Sequence, residues 1–577
     1  MSIDNYTFVQ SSKFKSLKFL YRNSRSINFS IFQFFNLVIF FLITSCSDQT
    51  GSFDADKTVF RYNEISKIKS LDPAFARDQA CTWACNQLYN GLVQIDDQLS
   101  VRPCIAKSWD ISDDHKIYTF HLRKDVFFHD SELFENGLRR KVVAKDFVYS
   151  FARILNAKIA SPGSWIFSNV DITHVGSTKG FKAIDDTTFQ IFLKDAFPPF
   201  LRILTMQYCS VVPCEVVEHY GEDFGSHPIG TGPFKFKMWN ENEKLIFVRN
   251  ENYFEVEKNF RLPFLDAVAI TFIPDKQSAY MNFIQGKLDF LSGIDASYKD
   301  ELLTSEGELN PKYVGRFNMT AQPYLNTEYF GFLMDENLAI VRNSPLKIKE
   351  IRQAINYGFD RVKMMSLLRN NIGIPATSGF IPAGAPGFDS TKVQGYNYNP
   401  EKAKQLLAQA GFPEGKGLPE IDLHTSASYL DLCEYIQHQL SDIGIKLNLE
   451  VDPPSSLRQY VAKASINFFR GSWIADYGDA ENYLALFYSK NFCPNGPNYT
   501  HFKDQNYDQW YEKAKTEVND SIRFMYYQQM DQIIMDNAPV SVLYYDEVLR
   551  FVQSNIEGLG SNAMNLLTLK RVKKYPQ

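Results

Sequence analysis

The chain has 577 residues, long enough for two or three domains at roughly 100–200 residues each. Hydrophobic residues make up 45% and charged residues 22%, the balance of a globular protein with a real core, which excludes a disordered or low-complexity chain. The net charge of −5 leaves no basic footprint for nucleic acid, and none is expected as a partner.

The N-terminus differs from the rest. Lys13, Lys15, Lys18, Arg22 and Arg25 precede the apolar "IFQFFNLVIFFLITSC", Ile31 to Cys46. A cationic stretch, a short apolar stretch and then small residues read as a signal peptide. The apolar run falls short of the ~20 residues a spanning helix needs. Its ending, "LITSC", resembles the lipobox of bacterial lipoproteins, in which Cys46 would be acylated. An uncleaved membrane anchor is the alternative. Either way the bulk of the chain lies outside the cytoplasmic membrane. Residues 1–45 are assigned to the signal peptide and 46–57 to a polar tether. Seven further cysteines remain, so at least one thiol is unpaired within the chain. An oxidising compartment permits pairs such as Cys209–Cys214.

From Thr58 the chain reads as short strands and turns, followed by the helical "QACTWACNQLYNGLVQID". "KIYTFHLRKDVFFHD" alternates as a strand does, with Tyr118, Phe120 and Leu122 on one face. "VVAKDFVYSFARILNA" has helical spacing, with Phe147, Phe151 and Leu155 on one side. "HPIGTGPFKFKMWNENEKLIFVRNENYF" is turn-rich and then reads as a hairpin. "SPLKIKEIRQAINYGFDRVKMMSLLR" is predicted as one amphipathic helix with Pro345 near its start. From Glu420 the order is strand, helix, strand, helix, strand, ending in "INFFRGSW". That alternation implies a sheet with parallel pairs and covering helices. A helix over "YDQWYEKAKTEVNDSIRFMYYQQMDQIIMDNA" follows, and "PVSVLYYDEVLRFV" closes the chain as strands. No Ser/Thr/Gly-rich linker separates independent domains.

Catalytic constellations are largely absent: no G-x-S-x-G elbow, no H-E-x-x-H and no Walker lysine loop. The GTG at residues 230–232 lacks the spacing and the following helix of a phosphate loop. No cysteine–histidine spacing suggests a metal site. An exported chain of this length without a recognisable nucleophile and base favours binding over chemistry, so neither enzyme activity, cofactor nor metal is expected.

Colinear landmarks then carry a resemblance. They include "SLDPAFARD", "NQLYNGLVQID", "AKDFVYSFARIL", "ASPGSW", "HPIGTGPFKF", "PYLNTEYFGF", "IRQAINYGFDR", "YNPEKAKQLLAQAGFP", "FFRGSWIADYGDAENYL" and "APVSVLYY". Over residues 58–565 the chain resembles the extracellular solute-binding proteins of family 5, the oligopeptide and dipeptide receptors of ABC importers, and looks closest to the oligopeptide-binding branch. The resemblance implies an α/β, bilobal, type II binding protein with an extra subdomain, closing about a hinge. Lobe I would span 58–320, with an inserted subdomain near 96–175, lobe II would span 321–539, and residues 540–577 would return to lobe I.

By the same resemblance, Arg470, Trp473 and Asp476 match an R-x-x-W-x-x-D pattern whose aspartate pairs with a peptide's α-ammonium; a structural salt bridge is the alternative role for Asp476. Backbone groups around Ser472 and Ile474 would pair with the ligand as an added strand, and Trp473 would supply an apolar wall. Arg470 would meet a ligand carboxylate, with an internal ion pair as the equal alternative. Arg77, Asp78 and Gln79 match a cleft-facing loop, and Tyr329 a cleft-lining tyrosine, or else an ordinary core aromatic. In "ASPGSW" the family places a tyrosine over the peptide where Gly163 stands here. Trp165 would compensate, or the pocket would be more open. The expected function is that of a monomeric, lipid-anchored peptide receptor of the periplasm or cell envelope, delivering cargo to an ABC permease. A same-fold receptor for dipeptides, glutathione, nickel or haem is the first rival. A secreted hydrolase or an envelope peptide-binding chaperone is the second.

Overall fold

The structure, a computed structural model, describes residues 57–173, 180–295 and 297–576. The expected signal peptide, Cys46 and all of the tether before Lys57 lie outside the described residues.

One eleven-stranded mixed sheet runs through the protein. Its strands lie in the order Leu447–Val451, Ile421–Thr425, Phe468–Ile474, Phe317–Phe332, Val540–Gln553, Phe290–Ser292, Val59–Asn63, Ala267–Thr271, Lys244–Arg249 and Phe234–Asn240. The short Ile374–Pro375 pairs with Val540–Gln553 off this path. The alternation predicted after Glu420 is present: Ile421–Thr425 pairs in parallel with Leu447–Val451 and meets Phe468–Ile474 in parallel through His424 and Phe469. Helices Leu430–Ser441 and Pro454–Ala462 make the two crossovers. The expected hairpin is the antiparallel pair Phe234–Asn240 and Lys244–Arg249.

Two long strands lie side by side in this sheet. Phe317–Phe332 and Val540–Gln553 pair antiparallel along nearly their whole length, with register shifts at Pro323–Thr327 and Glu328–Tyr329. Proline has no N–H for a ladder and belongs at such irregularities. Below Pro323 the two strands bury Phe317, Leu549 and Phe551 with residues of the first lobe, such as Tyr280 and Phe283. Beyond Thr327 they bury Phe330, Phe332, Leu543 and Tyr544 with helices of the second lobe. The break in pairing thus coincides with the change from one buried cluster to the other.

A separate four-stranded antiparallel sheet is formed by Ala106–Ile111, Ile117–Leu122, Thr188–Phe192 and Phe181–Asp185. Tyr118, Phe120 and Leu122 are all buried, as the alternation requires. The last two strands lie beyond residue 175, because strand Ile117–Leu122 takes its second partner from Thr188–Phe192.

Two predicted single helices are each broken in two. Residues 345–369 form a short turn and then helices Lys349–Tyr357 and Arg361–Arg369. Gly358 sits so close to Leu440 that a Cβ there would fall 2.5 Å from Cδ2. Asp360 starts the next helix by accepting from the Lys363 amide. Likewise Asn519 caps Asp520–Asn537, separating it from Gln505–Thr516. All seven described cysteines are free. Cys209 is buried against the Ile203 carbonyl while Cys214 lies beside Glu215, so the permitted Cys209–Cys214 pair is not formed.

Candidate functional site

A cavity of about 370 Å³ lies between the Ala76–Gln79 loop of the first lobe and the segment following strand Phe468–Ile474 of the second. Of the residues singled out in the sequence, Arg77, Asp78, Gln79, Ile474 and Asp476 line it together. Trp83, Met206, Tyr208, Tyr324 and Met564 supply most of its apolar wall. This mixture of apolar surface and a few charged groups is that of a ligand pocket, and the volume falls at the small end of the usual ~300–1,000 Å³. A larger groove of about 1200 Å³ is lined by Phe75 and the paired Asp72 and Arg153 among others, and holds none of the singled-out residues.

Asp476 is open to the cavity. Protein crowds it on its other sides, and this desolvation pushes its carboxyl above the usual range, opposed by a hydrogen bond from Asn482. No cation contributes to that shift, although Arg77 lines the same cavity. An anion so placed gains most from a cationic ligand.

Asn482 organises the segment. Its Oδ1 accepts from the Asp476 amide at 3.1 Å and from Trp473 Nε1 at 2.9 Å, while its Nδ2 donates to Asp476 Oδ2 at 3.2 Å. The half-buried Trp473 is therefore an anchor for the loop; it packs against the second lobe's core and does not line the cavity. Ser472 and Ile474 are exposed on one face of the strand. This strand is fully paired with Phe317–Phe332 on one edge, from Phe468↔Phe332 to Ile474↔Asn326. On its other edge, its only ladder partner among the described residues is His424, opposite Phe469. Main chain from Arg470 to Ile474 thus presents an edge to which an extended peptide can add.

Arg470 and Tyr329 are turned to other uses. Arg470 forms an ion pair with Glu328, and its guanidinium stacks 3.2 Å over the Tyr429 ring. Burial pushes the Glu328 carboxyl up even with Arg470 beside it. Tyr329 is 3% exposed and packs against Phe380 and Phe469 in the core. Asp78 starts helix Gln79–Leu88, accepting from the Cys81 amide at 3.0 Å. Gln79 is the first residue of that helix and is exposed to the cavity.

The position of Gly163 is filled from elsewhere. A Cβ on Gly163 would fall 2.4 Å from the Tyr208 ring, so only glycine admits that ring. Tyr208 lines the cavity, and its hydroxyl pKa is pushed to about 12 by burial and then by the Asp476 carboxylate. Trp165, expected to compensate, does not line the cavity; its ring lies 6.3 Å from that of Tyr477. Two residues that sequence reasoning missed therefore matter here, Tyr208 and Asn482; Glu64, which feels the Asp78 carboxylate, does not line the cavity. Glu64 follows the first strand, is 9% exposed, and has an Oε1 with no hydrogen-bond partner. Burial, with the Asp78 carboxylate adding, raises its carboxyl to about 8. Among the described residues no three His, Cys, Asp or Glu side chains are grouped to hold a metal ion.

Comparison with known proteins gives a consistent picture. The model of bacterial extracellular solute-binding proteins, family 5, matches residues 100–493. The chain is 28% identical over 506 residues to heme-binding protein A of Haemophilus influenzae, covering 85% of this chain and 88% of the relative. It is 25% identical over 492 residues to the dipeptide-binding protein of Escherichia coli, covering 82% and 86%. The periplasmic binding protein DppA of Helicobacter pylori, solved with the peptide STSA, superimposes with a TM-score of 0.71 at 24% identity, covering 90% of this chain and 98% of that one.

Proposed function

The chain belongs to the bacterial extracellular solute-binding proteins of family 5, and from that premise we propose that it captures short peptides by their free α-ammonium and delivers them to an ABC permease. The observation that carries this reading is Asp476, a carboxylate on the wall of the cavity between the lobes whose raised carboxyl no cation opposes, even with Arg77 on the same wall. The ammonium would bind there, and the peptide backbone would extend along the free edge of Phe468–Ile474. Main-chain pairing of that kind is indifferent to side chains, which suits a receptor for mixed peptides. Tyr208 and Trp83 offer the apolar surface for the first side chains. The modest cavity fits a short peptide better than a bulky planar cargo such as haem.

In this reading Cys46 carries the lipid, residues 46–57 form the tether, and the binding unit works as a monomer outside the cytoplasmic membrane. Lobe I comprises 58–320 and 540–577, and lobe II 321–539. Arg470 serves the ligand indirectly, by fixing the strand that carries Ser472 and Ile474. Mass spectrometry of small molecules released from protein purified without refolding tests the assignment. Peptides with free amino termini are expected; a preparation that carries only another class of molecule rejects it.

A further inference from the structure

The loop that carries Asp476 is held from both lobes at once. Tyr477 is 5% exposed and packs into the first lobe's core. In exchange Leu99, from the turn after Val93–Ile95, is 4% exposed and packs into the second lobe's core, against Gly478. Next to this exchange lies Asp479, whose side chain is fully buried. Its Oδ2 accepts from Arg202 Nη1 at 3.3 Å and lies 3.6 Å from Arg523 Nη2. Its Oδ1 accepts from the Tyr527 hydroxyl at 2.8 Å and from the Glu481 amide at 3.0 Å.

These donors come from opposite sides of the cleft. Arg202 belongs to the short helix Phe200–Ile203, whose Phe200 and Ile203 are buried in the first lobe. Arg523 and Tyr527 belong to helix Asp520–Asn537, which packs in the second. The carboxylate already has its local partners in Tyr527, Arg523 and the Glu481 amide. Arg202 is the added, cross-cleft donor, and it is the less buried of the two arginines, 18% exposed against 1%. The contact is not fully satisfied, for Arg202 Nε and Arg523 Nε are buried without acceptors. Unfilled buried donors cost stability. A junction of that kind suits a contact that must open again.

We propose that Arg202 is a positioning residue for ligand capture: it reaches across the cleft to Asp479 and so holds the Ala475–Ala480 loop, and Asp476 within it, where a ligand would lie. This rests on the reading of Asp476 as the ammonium partner. Opening of the lobes breaks the Arg202 contact and withdraws Tyr477 and Leu99 from their pockets, which frees the loop. Arg202 thereby biases the ligand-free protein toward the closed form, and apparent affinity scales with the population of the competent form.

The test combines small-angle X-ray scattering of ligand-free protein with peptide release rates for wild type, Arg202→Gln and Arg202→Lys. Arg202→Gln is expected to raise the ligand-free radius of gyration and to speed peptide release about fivefold or more. Arg202→Lys, which keeps the charge, is expected to fall between the two, and it keeps the test alive should the glutamine variant fold poorly. Scattering curves for the variants that superimpose on wild type overturn the proposal. A variant that opens but releases peptide at the wild-type rate overturns the positioning role. Wild type that binds no peptide at all would instead reject the peptide reading, while the ligand-free scattering still decides whether Arg202 holds the cleft closed.

Discussion

Asn482 clasps Asp476 at two points, accepting from its main-chain amide at 3.1 Å and donating to its carboxylate at 3.2 Å. One side chain therefore sets both where the loop turns and which way the carboxylate faces. Because the same Oδ1 also receives Trp473 Nε1, the spacing of Trp473 and Asp476 has a geometric cause. Replacing Asn482 by alanine leaves buried donors unpaired, at about 1–3 kcal/mol. The expected result is a drop in peptide affinity of about tenfold or more with the lobes still folded, measured by calorimetric titration beside circular dichroism.

The raised Asp476 carboxyl makes binding sensitive to mild acid. Ammonium capture needs the ionised form, and desolvation holds its proton more tightly than in an ordinary aspartate near 3.9. Peptide affinity should therefore begin to fall, as pH is lowered, at a higher pH than an ordinary aspartate would give. Binding should also release a proton in that range, visible as a buffer-dependent enthalpy. Affinity that is flat down to the ordinary aspartate range would exclude this role.

Arg470 and Glu328 form a buried pair, with side chains 10% and 3% exposed. Breaking a buried pair costs more than removing both members, because one charge is left without a partner. Arg470→Met alone should lower unfolding stability by roughly 3–5 kcal/mol, and adding Glu328→Gln should recover much of the loss. Urea titrations of the single and double variants measure this. A single variant as stable as wild type would show that the pair does not hold the strand.

Gly163 and Tyr208 should be coupled. Gly163→Ala forces a Cβ into the tyrosine ring, an overpacking expected to cost about 1–3 kcal/mol. Tyr208→Ala should abolish that penalty while weakening peptide binding, since the ring lines the cavity. A double-mutant cycle on stability decides; additive effects would contradict the contact.

Asp531 gives a pH dependence of stability. Its carboxyl is pushed up to about 7 by burial, against hydrogen bonds from the Phe380 and Ile381 amides at 2.6 and 3.3 Å. Between pH ~4 and ~7 the folded protein keeps this proton and the unfolded chain does not. Its stabilising contribution is thus present below pH ~4 and is lost as pH rises through about 7. Relative to Asp531→Asn, wild type should lose on the order of 4 kcal/mol over that range. Parallel pH profiles of the two melting curves would refute it.

Much of this was legible in the residues because it is local. The strand–helix alternation after Glu420 is written in short-range periodicity, and it folds as read. The R-x-x-W-x-x-D run was legible only through the family resemblance; its Asp476 lies on the cavity wall. What could not be read depends on distant partners. Tyr208 reaches the place left open by Gly163 from 45 residues away in the chain, and nothing in either stretch announces the other. Tyr329 lies on a strand of both lobes, and its burial follows from Phe380 and Phe469 closing over it. Asn482 carried a weak signal, as a polar residue at the head of an apolar turn, but its partners emerge only when the loop folds back. The two helix breaks at Gly358 and Asn519 were visible in principle, since glycine and asparagine commonly punctuate helices.

The central claim is that Asp476 binds a peptide's free amino terminus. Calorimetric titration of one short peptide, with its amino terminus free or acetylated, against wild type and Asp476→Asn tests it most directly. Loss of one member of a desolvated charge pair costs about 2–5 kcal/mol, so acetylation should weaken binding to wild type by roughly 30-fold or more. The variant should bind the free peptide correspondingly more weakly and barely distinguish the two forms. Equal affinity of wild type for the free and acetylated peptides would contradict the account.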